Sequence, residues 1–270
     1  MAGWAAAALA AGLVMAAQPA WADDAPGGRE MSTDRPDTTE SPYTVEPGRW
    51  QVESTIIGYS RTARDDAGAA HDYLTVAATN LRIGLTPRLE ADVVLQPYGR
   101  DEPTRGLTHQ GVGDLTLRLK LNLSRPDGVH DRGDVAVGLL PFVNIPTDRS
   151  DGISDDVWGG GFLVPVDVSL GGRFSLGANA GFVVRREDRA IGYEAHTLLT
   201  TSLGCDWTKR WGTYHEVAAE LNGSGGDQAY FDNGLTFRVT DNLQLDAGVN
   251  LGLTRASDRV QTFVGVSARF

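Results

Sequence analysis

The sequence predicts an all-β protein: a closed antiparallel transmembrane β-barrel of about twelve strands, with a periplasmic N-terminal arm. Three observations predict this fold. Apolar and polar residues alternate with a period of two from Trp50 onward, short connections alternate with long ones, and no long apolar run follows residue 22. Because only every second side chain of a membrane barrel faces lipid, a mean hydropathy of -0.22 is compatible with membrane insertion.

The first 22 residues are rich in alanine and contain no charged side chain. They end in Ala20-Trp21-Ala22, the small-residue spacing of a signal-peptidase site, although no basic residue precedes the apolar stretch. We interpret residues 1–22 as a secretory signal peptide, and the alternative is an uncleaved anchor helix. Residues 23–47 are polar and do not alternate, which predicts a periplasmic N-terminal arm. Residues 48–270 form the predicted barrel.

The leucines of residues 112–123 give the clearest strand pattern. Five of them stand at every second position, so a strand places them all on one side whereas a helix scatters them around its circumference. Twelve runs of this kind are present, several of them long enough to cross a bilayer when tilted. They cover residues 49–60, 72–86, 88–99, 110–123, 133–146, 158–170, 173–186, 191–206, 211–222, 227–239, 242–254 and 258–270.

The connections between these runs carry independent information. Those after the second, sixth, eighth and tenth runs are tight turns such as Gly171-Gly172, whereas those after the first and third, residues 61–71 and 100–109, are long and charged. Short periplasmic turns and long external loops are typical of outer-membrane barrels. The later outer loops are short, so this asymmetry is partial. An even number of strands returns both ends of the barrel to the periplasm.

Two arguments favour a membrane barrel over a soluble one. A soluble lipocalin-like barrel points its apolar face inward, and with this many strands its side chains would leave a large void. Aromatic residues also cluster near the ends of the runs, where lipid headgroups would lie. A soluble two-sheet sandwich is the structural alternative. The aromatic residues concerned are Trp50, Tyr59, Tyr73, Tyr98, Trp158, Tyr193, Trp207, Trp211, Tyr214 and Tyr230.

Charge and motif content exclude several function classes. The net charge of -11 provides no basic surface for nucleic acid, and the single cysteine, Cys205, cannot form an intrachain disulfide. No metal-ligand spacing, phosphate loop or nucleophile motif is present. Ser202 and His196 form a nominal lipase pair, but strand rise separates them by about 20 Å. We therefore predict no catalytic residue, no metal, no cofactor and no enzyme activity.

Three segments carry a family resemblance. Residues 32–42 read STDRPDTTESP, residues 47–53 read PGRWQVE, and residues 111–114 read GVGD. These motifs resemble the corresponding strings of an outer-membrane β-barrel family named for the meta-pathway of phenol degradation, from about residue 32 to the end of the chain. The resemblance implies an outer-membrane barrel that transports hydrophobic or aromatic compounds.

Charged residues on the inward faces of the predicted strands are candidates for the lumen. They either line a polar conduit that sorts solutes by charge, or pair across strands and largely fill a narrow barrel. The acidic and basic groups are similar in number, so no strong anion selectivity is expected. The permeation candidates are Arg82, Glu90, Asp92, Asp114, Arg118, Lys120, Asp167, Glu194, Glu216, Glu220, Arg238, Asp246 and Arg269.

The arm is itself a candidate plug. Its acidic residues flank one arginine, and its prolines restrict the conformations of its backbone. This pattern predicts a salt-bridged cap folded into or under the periplasmic mouth of the barrel. The alternative is a disordered leader. The last run ends in Phe270 on its apolar face, which resembles the signal read by the bacterial barrel-assembly machinery. The candidate plug residues are Asp34, Arg35, Pro36, Asp37 and Glu40.

These inferences predict an outer-membrane channel or transporter for small molecules, including hydrophobic or aromatic ones. The alternative is a closed structural or interaction barrel without transport. Expected partners are the lipid bilayer, the barrel-assembly machinery during biogenesis, and a small-molecule solute.

Overall fold

The structure is a computed structural model of the 270-residue chain. It describes residues 29–65, 68–124, 127–128, 131–147, 153–154, 157–186, 192–223 and 225–270. The predicted signal peptide, residues 1–22, lies outside the described residues. Within them, no helix has the length and apolarity needed to cross a membrane.

The described residues form strands joined by turns and loops. The strand bounds agree closely with the alternating runs of the sequence, because each strand ends where alternation gives way to glycine, proline or charged residues. The strands are β1 (Trp50–Thr62), β2 (His71–Thr86), β3 (Leu89–Leu95), β4 (Tyr98–Pro103), β5 (His109–Gly111), β6 (Leu115–Asn122), β7 (Val135–Ile145), β8 (Gly159–Gly171), β9 (Phe174–Arg185), β10 (Glu194–Asp206), β11 (Trp211–Leu221), β12 (Gln228–Thr240), β13 (Leu243–Gly252) and β14 (Asp258–Arg269).

These strands make one closed antiparallel barrel, because β1 pairs with β2 on one side and with β14 on the other. β3 and β4 pair with successive parts of β2, so they are two halves of one interrupted strand. β5 and β6 form the neighbouring interrupted strand. At the break, Pro97 lacks an N–H group, and the Gly113 N–H donates to the Gln96 carbonyl oxygen at 2.8 Å. The predicted twelve-stranded barrel is confirmed.

The barrel closes at the pairing of its first and last strands. The Trp50 N–H donates to the Phe270 carbonyl oxygen at 3.3 Å, and the Phe270 N–H donates to the Trp50 carbonyl oxygen at 2.9 Å. Their rings stack with centroids 4.6 Å apart. Closure matters because an unpaired strand edge in lipid would leave backbone donors and acceptors unsatisfied.

The wall has its apolar face outside and its polar face inside. In β6 the side chains of Leu117, Leu119 and Leu121 are exposed on the outer surface, whereas Lys120 between them is fully buried. A soluble protein reverses this order, so the exposed apolar band fits a surrounding bilayer.

Most of the predicted aromatic belt lies on the outer surface, where Trp50, Trp158 and Tyr193 are exposed. Tyr214 contradicts that prediction, since its side chain is buried. Tyr73 does so as well, because its hydroxyl accepts a hydrogen bond from Gln96 inside the barrel wall. Tyr230 also faces inward, because it stands two residues before the buried Asp232 on β12, and its hydroxyl accepts a hydrogen bond from the Asp258 N–H. The reason for Tyr214 is its strand position: it stands three residues after the outward-facing Trp211, and an odd spacing reverses the face.

The first prediction concerns this outer face. Leu119 is 49% exposed in the middle of β6, so Leu119→Arg would place a charge in lipid and lower the free energy of unfolding by about 2–4 kcal/mol. Urea titration of the barrel refolded in lipid vesicles measures this change. Leu107→Arg is the control, because Leu107 is 79% exposed in an outer loop and should change stability by less than about 0.5 kcal/mol. Equal effects of the two substitutions would contradict a lipid-facing β6.

Candidate functional site

The described part of the arm, residues 29–47, runs inside the barrel and contacts opposite walls. Asp34 accepts a hydrogen bond from Lys120 Nζ on β6 at 2.5 Å. The next residue, Arg35, donates from Nη2 to Asp246 Oδ1 on β13 at 2.7 Å. Successive residues of the arm therefore bridge the lumen from one side of the barrel to the other.

The wall formed by β1, β2, β3 and β6 carries a network of buried ions. Arg82 lies 2.6 Å from Glu53 Oε1 and 2.9 Å from Glu90 Oε1, and Lys120 Nζ lies 3.4 Å from the same Glu90 oxygen. These side chains have no exposed surface. Buried charges of this kind persist only where they are paired and hydrogen-bonded, so each member depends on the others.

Three cations of this wall bind the arm, and we call Arg82, Arg118 and Lys120 the basic anchor. Burial alone would raise the pKa of Asp34, but the positive charges of Arg82 and Lys120 outweigh it and hold this pKa well below its usual range. Arg118 Nη1 donates to Glu40 Oε1 at 2.5 Å. Burial nevertheless raises the pKa of Glu40 to about 7, because it outweighs the opposing effect of Arg118. The anchor thus holds Asp34 as a firmly ionised carboxylate.

The opposite wall, formed by β11 and β12, is acidic where it meets the arm. Glu216 accepts hydrogen bonds from the Thr38 N–H at 2.8 Å and from Thr39 Oγ1 at 2.5 Å. Asp232, its cross-strand neighbour, lies 3.5 Å from Thr38 Oγ1. Among the described residues, no lysine or arginine pairs with either carboxylate. The arm is therefore held to this wall by backbone and hydroxyl donors and not by ion pairs.

We call Asp37, Thr38 and Thr39 the arm tip. Asp37 lies beside the acidic wall. Burial raises its pKa to about 8, and the nearby Glu216 carboxylate adds to this shift, while a hydrogen bond from Ser202 opposes it. Protonation of Asp37 below this pH avoids a third negative charge at the contact.

Two cavities lie on either side of the arm tip. The outer cavity, about 450 Å³, faces the long loops and is bounded by Arg35, Pro36 and Thr38 of the arm. The inner cavity, about 140 Å³, faces the short turns and is bounded by Asp37, Thr39 and neighbouring arm residues. The outer cavity is lined by wall residues that include Thr55, Tyr73, Asn250, Gln261 and Phe263. The inner cavity is lined by wall residues that include Val166, Asp167, Ser175, Ser202 and Tyr214.

The predicted lumen residues lie on the inner face of the wall, and most of them contact the arm. The contacts beyond the basic anchor include Asp167 with Tyr43, Arg238 with Glu30, and Arg269 with the Arg29 carbonyl. Those that contact the arm are Arg82, Glu90, Arg118, Lys120, Asp167, Glu216, Arg238, Asp246 and Arg269. Their role in permeation stays a prediction.

The other predicted lumen residues lie away from residues 37–39 of the arm. Asp92 is buried beside the basic anchor, and Asp114 accepts a hydrogen bond from Ser154 near the outer mouth. Glu220 lies 2.9 Å from His196 Nδ1, and Glu194 shares the inward face of β10 with that histidine. The structure therefore does not bring these four acidic residues to the arm tip.

Sequence reasoning missed the role of Tyr214. A methyl group at Gly234 would come within 2.4 Å of Tyr214 Cε1, and one at Gly248 within 2.8 Å of its hydroxyl, so the ring occupies the space that the two glycines leave. Gly234 is the register partner of Tyr214, and Gly248 is the partner of Gly234. An aromatic residue facing two glycines across adjacent strands is the signal that reveals an inward ring.

One carboxylate trio has the spacing of a cation site. Ligand atoms of Asp34, Glu90 and Asp92 all lie within 4.8 Å of one another. The ammonium group of Lys120 already lies 2.5 Å from Asp34 and 3.4 Å from Glu90. That ammonium group supplies the positive charge that a metal ion would bring, so the three carboxylates belong to an ion-pair network with Lys120.

The family model described as "Putative MetA-pathway of phenol degradation" matches residues 33–270. The chain belongs to this family. The match includes the arm from Thr33 and the whole barrel, so arm and barrel are both parts of the phenol-degradation family pattern. No curated protein matches the chain in sequence.

Solved structures agree with the barrel of this family member. An outer membrane channel from Pseudomonas putida F1 is 13% identical, with a TM-score of 0.65, and the alignment covers 92% of this chain and 100% of that one. The NanC porin is 10% identical, with a TM-score of 0.51, covering 81% and 98%. The KdgM porin is 7% identical, with a TM-score of 0.50, covering 82% and 99%. These likenesses establish the fold.

The second prediction tests the basic anchor. Lys120→Met leaves buried carboxylates without a counter-charge, so it should lower the free energy of unfolding by about 3–5 kcal/mol. Adding Asp34→Asn should recover part of this loss, and a double-mutant cycle on urea titrations measures the coupling.

Lys209→Met is the matched control, because Lys209 is exposed in the turn between β10 and β11. It should change stability by less than about 0.5 kcal/mol. Independent, additive effects of Lys120→Met and Asp34→Asn would show that the ion pair does not hold the arm.

Proposed function

We propose that the protein is an outer-membrane channel for small solutes, in which the arm narrows the lumen and determines which solutes pass. The observation that carries this proposal is the pair of cavities on the two faces of the arm tip, inside a closed barrel with a polar interior. Neighbouring arm residues border both cavities, Thr38 the outer one and Asp37 and Thr39 the inner one, so a displacement of these residues would change the passage between them.

The strength of attachment along the arm supports this mode of opening. The basic anchor fixes Asp34 by buried ion pairs and Glu40 by a partly buried one, whereas Thr38 and Thr39 meet the acidic wall through hydrogen bonds alone. Hydrogen bonds are readily replaced by water, while breaking a buried ion pair costs several kcal/mol. The tip therefore moves while the anchored segment stays in place.

A closed barrel without transport is the second candidate. The same arm contacts favour it, because the arm reaches strands around most of the barrel. The two functions differ in whether the tip leaves the acidic wall, and that difference is measurable.

The solute class we propose is small compounds with one aromatic ring and a polar group, such as phenols. The outer cavity offers the rings of Tyr73 and Phe263 beside the polar groups of Thr55, Asn250 and Gln261. Its volume is within the range of small-molecule sites. The name of the family, which refers to phenol degradation, points to the same chemistry.

Export and assembly belong to the same proposal. Residues 1–22 would direct secretion and be removed, and the apolar last strand with Phe270 would be recognised by the barrel-assembly machinery. The supporting observations are the small-residue spacing Ala20-Trp21-Ala22 and the stacking of Phe270 on Trp50.

The third prediction tests the movable tip. Thr39 Oγ1 and Thr200 Oγ1 are 2.7 Å apart, so Thr39→Cys with Thr200→Cys should form a disulfide that locks the tip to β10. The background carries Cys205→Ala to remove the native thiol. In planar bilayers the oxidised protein should show small or no current steps, and reductant should restore larger ones.

The single variant Thr39→Cys in the same background is the control, and reductant should leave its conductance unchanged. Silence of wild type, control and reduced protein, all with the heat-modifiable gel mobility of a folded barrel, would favour the closed barrel. Unchanged conductance in the oxidised form would show that solutes pass without movement of the tip.

The fourth prediction tests the solute class. Phenol should interrupt the single-channel current at millimolar concentration, because its ring and hydroxyl match the lining of the outer cavity. Cyclohexanol, which keeps the hydroxyl and lacks the aromatic ring, should interrupt it much less. Phe263→Leu should weaken the block by phenol, since aromatic contacts contribute about 0.5–1.5 kcal/mol. Equal block by both compounds would contradict aromatic selectivity.

A further inference from the structure

We propose that the carboxylates of Asp37, Glu216 and Asp232 form a cation-selective filter between the two cavities. This inference rests on the proposed channel function and adds the charge class of the solutes: cations and neutral molecules pass, whereas anions such as phenolates are rejected. Three observations support this proposal. The carboxylates lie between the two cavities, they have no counter-charge among the described residues, and a hydroxyl beside them has no partner.

The filter residues lie on the wall between the two cavities. Tyr214 lines the inner cavity, and Glu216 stands two residues further along the inward face of β11. Glu216 pairs in register with Asp232, and Asp232 pairs with Asn250, which lines the outer cavity. A solute that moves from one cavity to the other along this wall must therefore pass both carboxylates.

The arm completes the filter from the other side. Asp37 and Thr39 line the inner cavity, Thr38 lines the outer cavity, and the two threonines contact the acidic wall. The route between the two cavities is therefore bordered by acidic groups from both arm and wall. Fixed charge of one sign in a narrow, low-dielectric passage concentrates ions of the opposite sign.

No positive charge of the described residues offsets this group. The basic anchor lies on the opposite side of the lumen and is occupied by Asp34, Glu40, Glu53 and Glu90. Arg35, which also lines the outer cavity, is paired with Asp246 at 2.7 Å. The carboxyl groups of the filter therefore have no cation partner among the described residues.

A buried polar atom beside the filter lacks a partner. The hydroxyl of Tyr214, a residue 5% exposed that lines the inner cavity, has no hydrogen-bond partner within the described chain. Asp232 is 1% exposed, and its carboxyl group is hydrogen-bonded to that of Glu216. Buried polar atoms are normally satisfied, so the unpaired phenol oxygen indicates a place that a cation or its hydration water occupies during passage.

The fifth prediction tests the filter by reversal potential in a potassium chloride gradient across a planar bilayer at pH 9. Wild type should favour potassium over chloride. Glu216→Gln with Asp232→Asn keeps shape and acceptor oxygens but removes two charges, so the potassium-to-chloride permeability ratio should fall about tenfold. Heat-modifiable gel mobility confirms that each variant is folded.

Glu102→Gln with Asp241→Asn is the matched control, because it removes the same charges at exposed positions that line neither cavity. Its permeability ratio should equal that of wild type. Conduction with an unchanged ratio in the Glu216 and Asp232 variant would overturn the filter and leave the channel intact. Silence of every protein, including wild type, would overturn the channel proposal and the filter with it.

A pH series tests the contribution of the arm. Asp37 is faced by Asp34 of the arm and by Glu216 of β11, and the Tyr214 hydroxyl beside it is also near Asp232 and Asp246. Since the pKa of Asp37 is raised to about 8, lowering the pH from 9 to 6 protonates it and should reduce the preference for potassium. In Asp37→Asn this reduction should be smaller. An identical pH dependence in the two proteins would remove Asp37 from the filter.

Discussion

The need to neutralise charge inside a lipid-embedded barrel governs the interior of this protein. Strands with an apolar outer face point their charged side chains inward, where the enclosing wall makes an unpaired charge costly. The strands satisfy part of this requirement among themselves, as Arg82 does with Glu53 and Glu90. The arm supplies a further part, because Asp34 and Glu40 bring carboxylates to Lys120 and Arg118. The arm is thus a structural complement of the wall.

The completeness of this neutralisation differs between the two sides of the lumen. On the side of β2, β3 and β6, cations and carboxylates alternate in a buried network that fixes the arm. On the side of β11 and β12, the wall contributes carboxylates and the arm contributes hydroxyl and amide donors. One interior therefore combines a fixed attachment with a surface from which the chain separates at low cost, and both properties follow from where the cations are.

Alternation in the sequence predicted the strands, the closed barrel and the inward placement of residues such as Lys120 and Asp246, because a period of two determines the face. It did not predict which charges meet, since pairs such as Arg35 with Asp246 are separated by 211 positions and depend on the path of the arm. Tyr214 was assigned to the lipid interface from its nearness to a strand end. The odd spacing of three residues from the outward-facing Trp211 instead places Tyr214 on the inner face. Its ring fits there because Gly234 and Gly248 leave space.

The pairing of β1 with β14, at Trp50 and Phe270, constrains the order of events during folding. The first and last strands are partners, so the cylinder cannot close until its final strand has been placed. Up to that moment the inward faces of β2, β3 and β6 belong to an open, curved sheet that is accessible from the side. The arm directly precedes β1 and reaches those faces by a short path. Docking before closure gives Lys120 and Arg82 their counter-charges while water is still present to lower the cost of bringing the ions together.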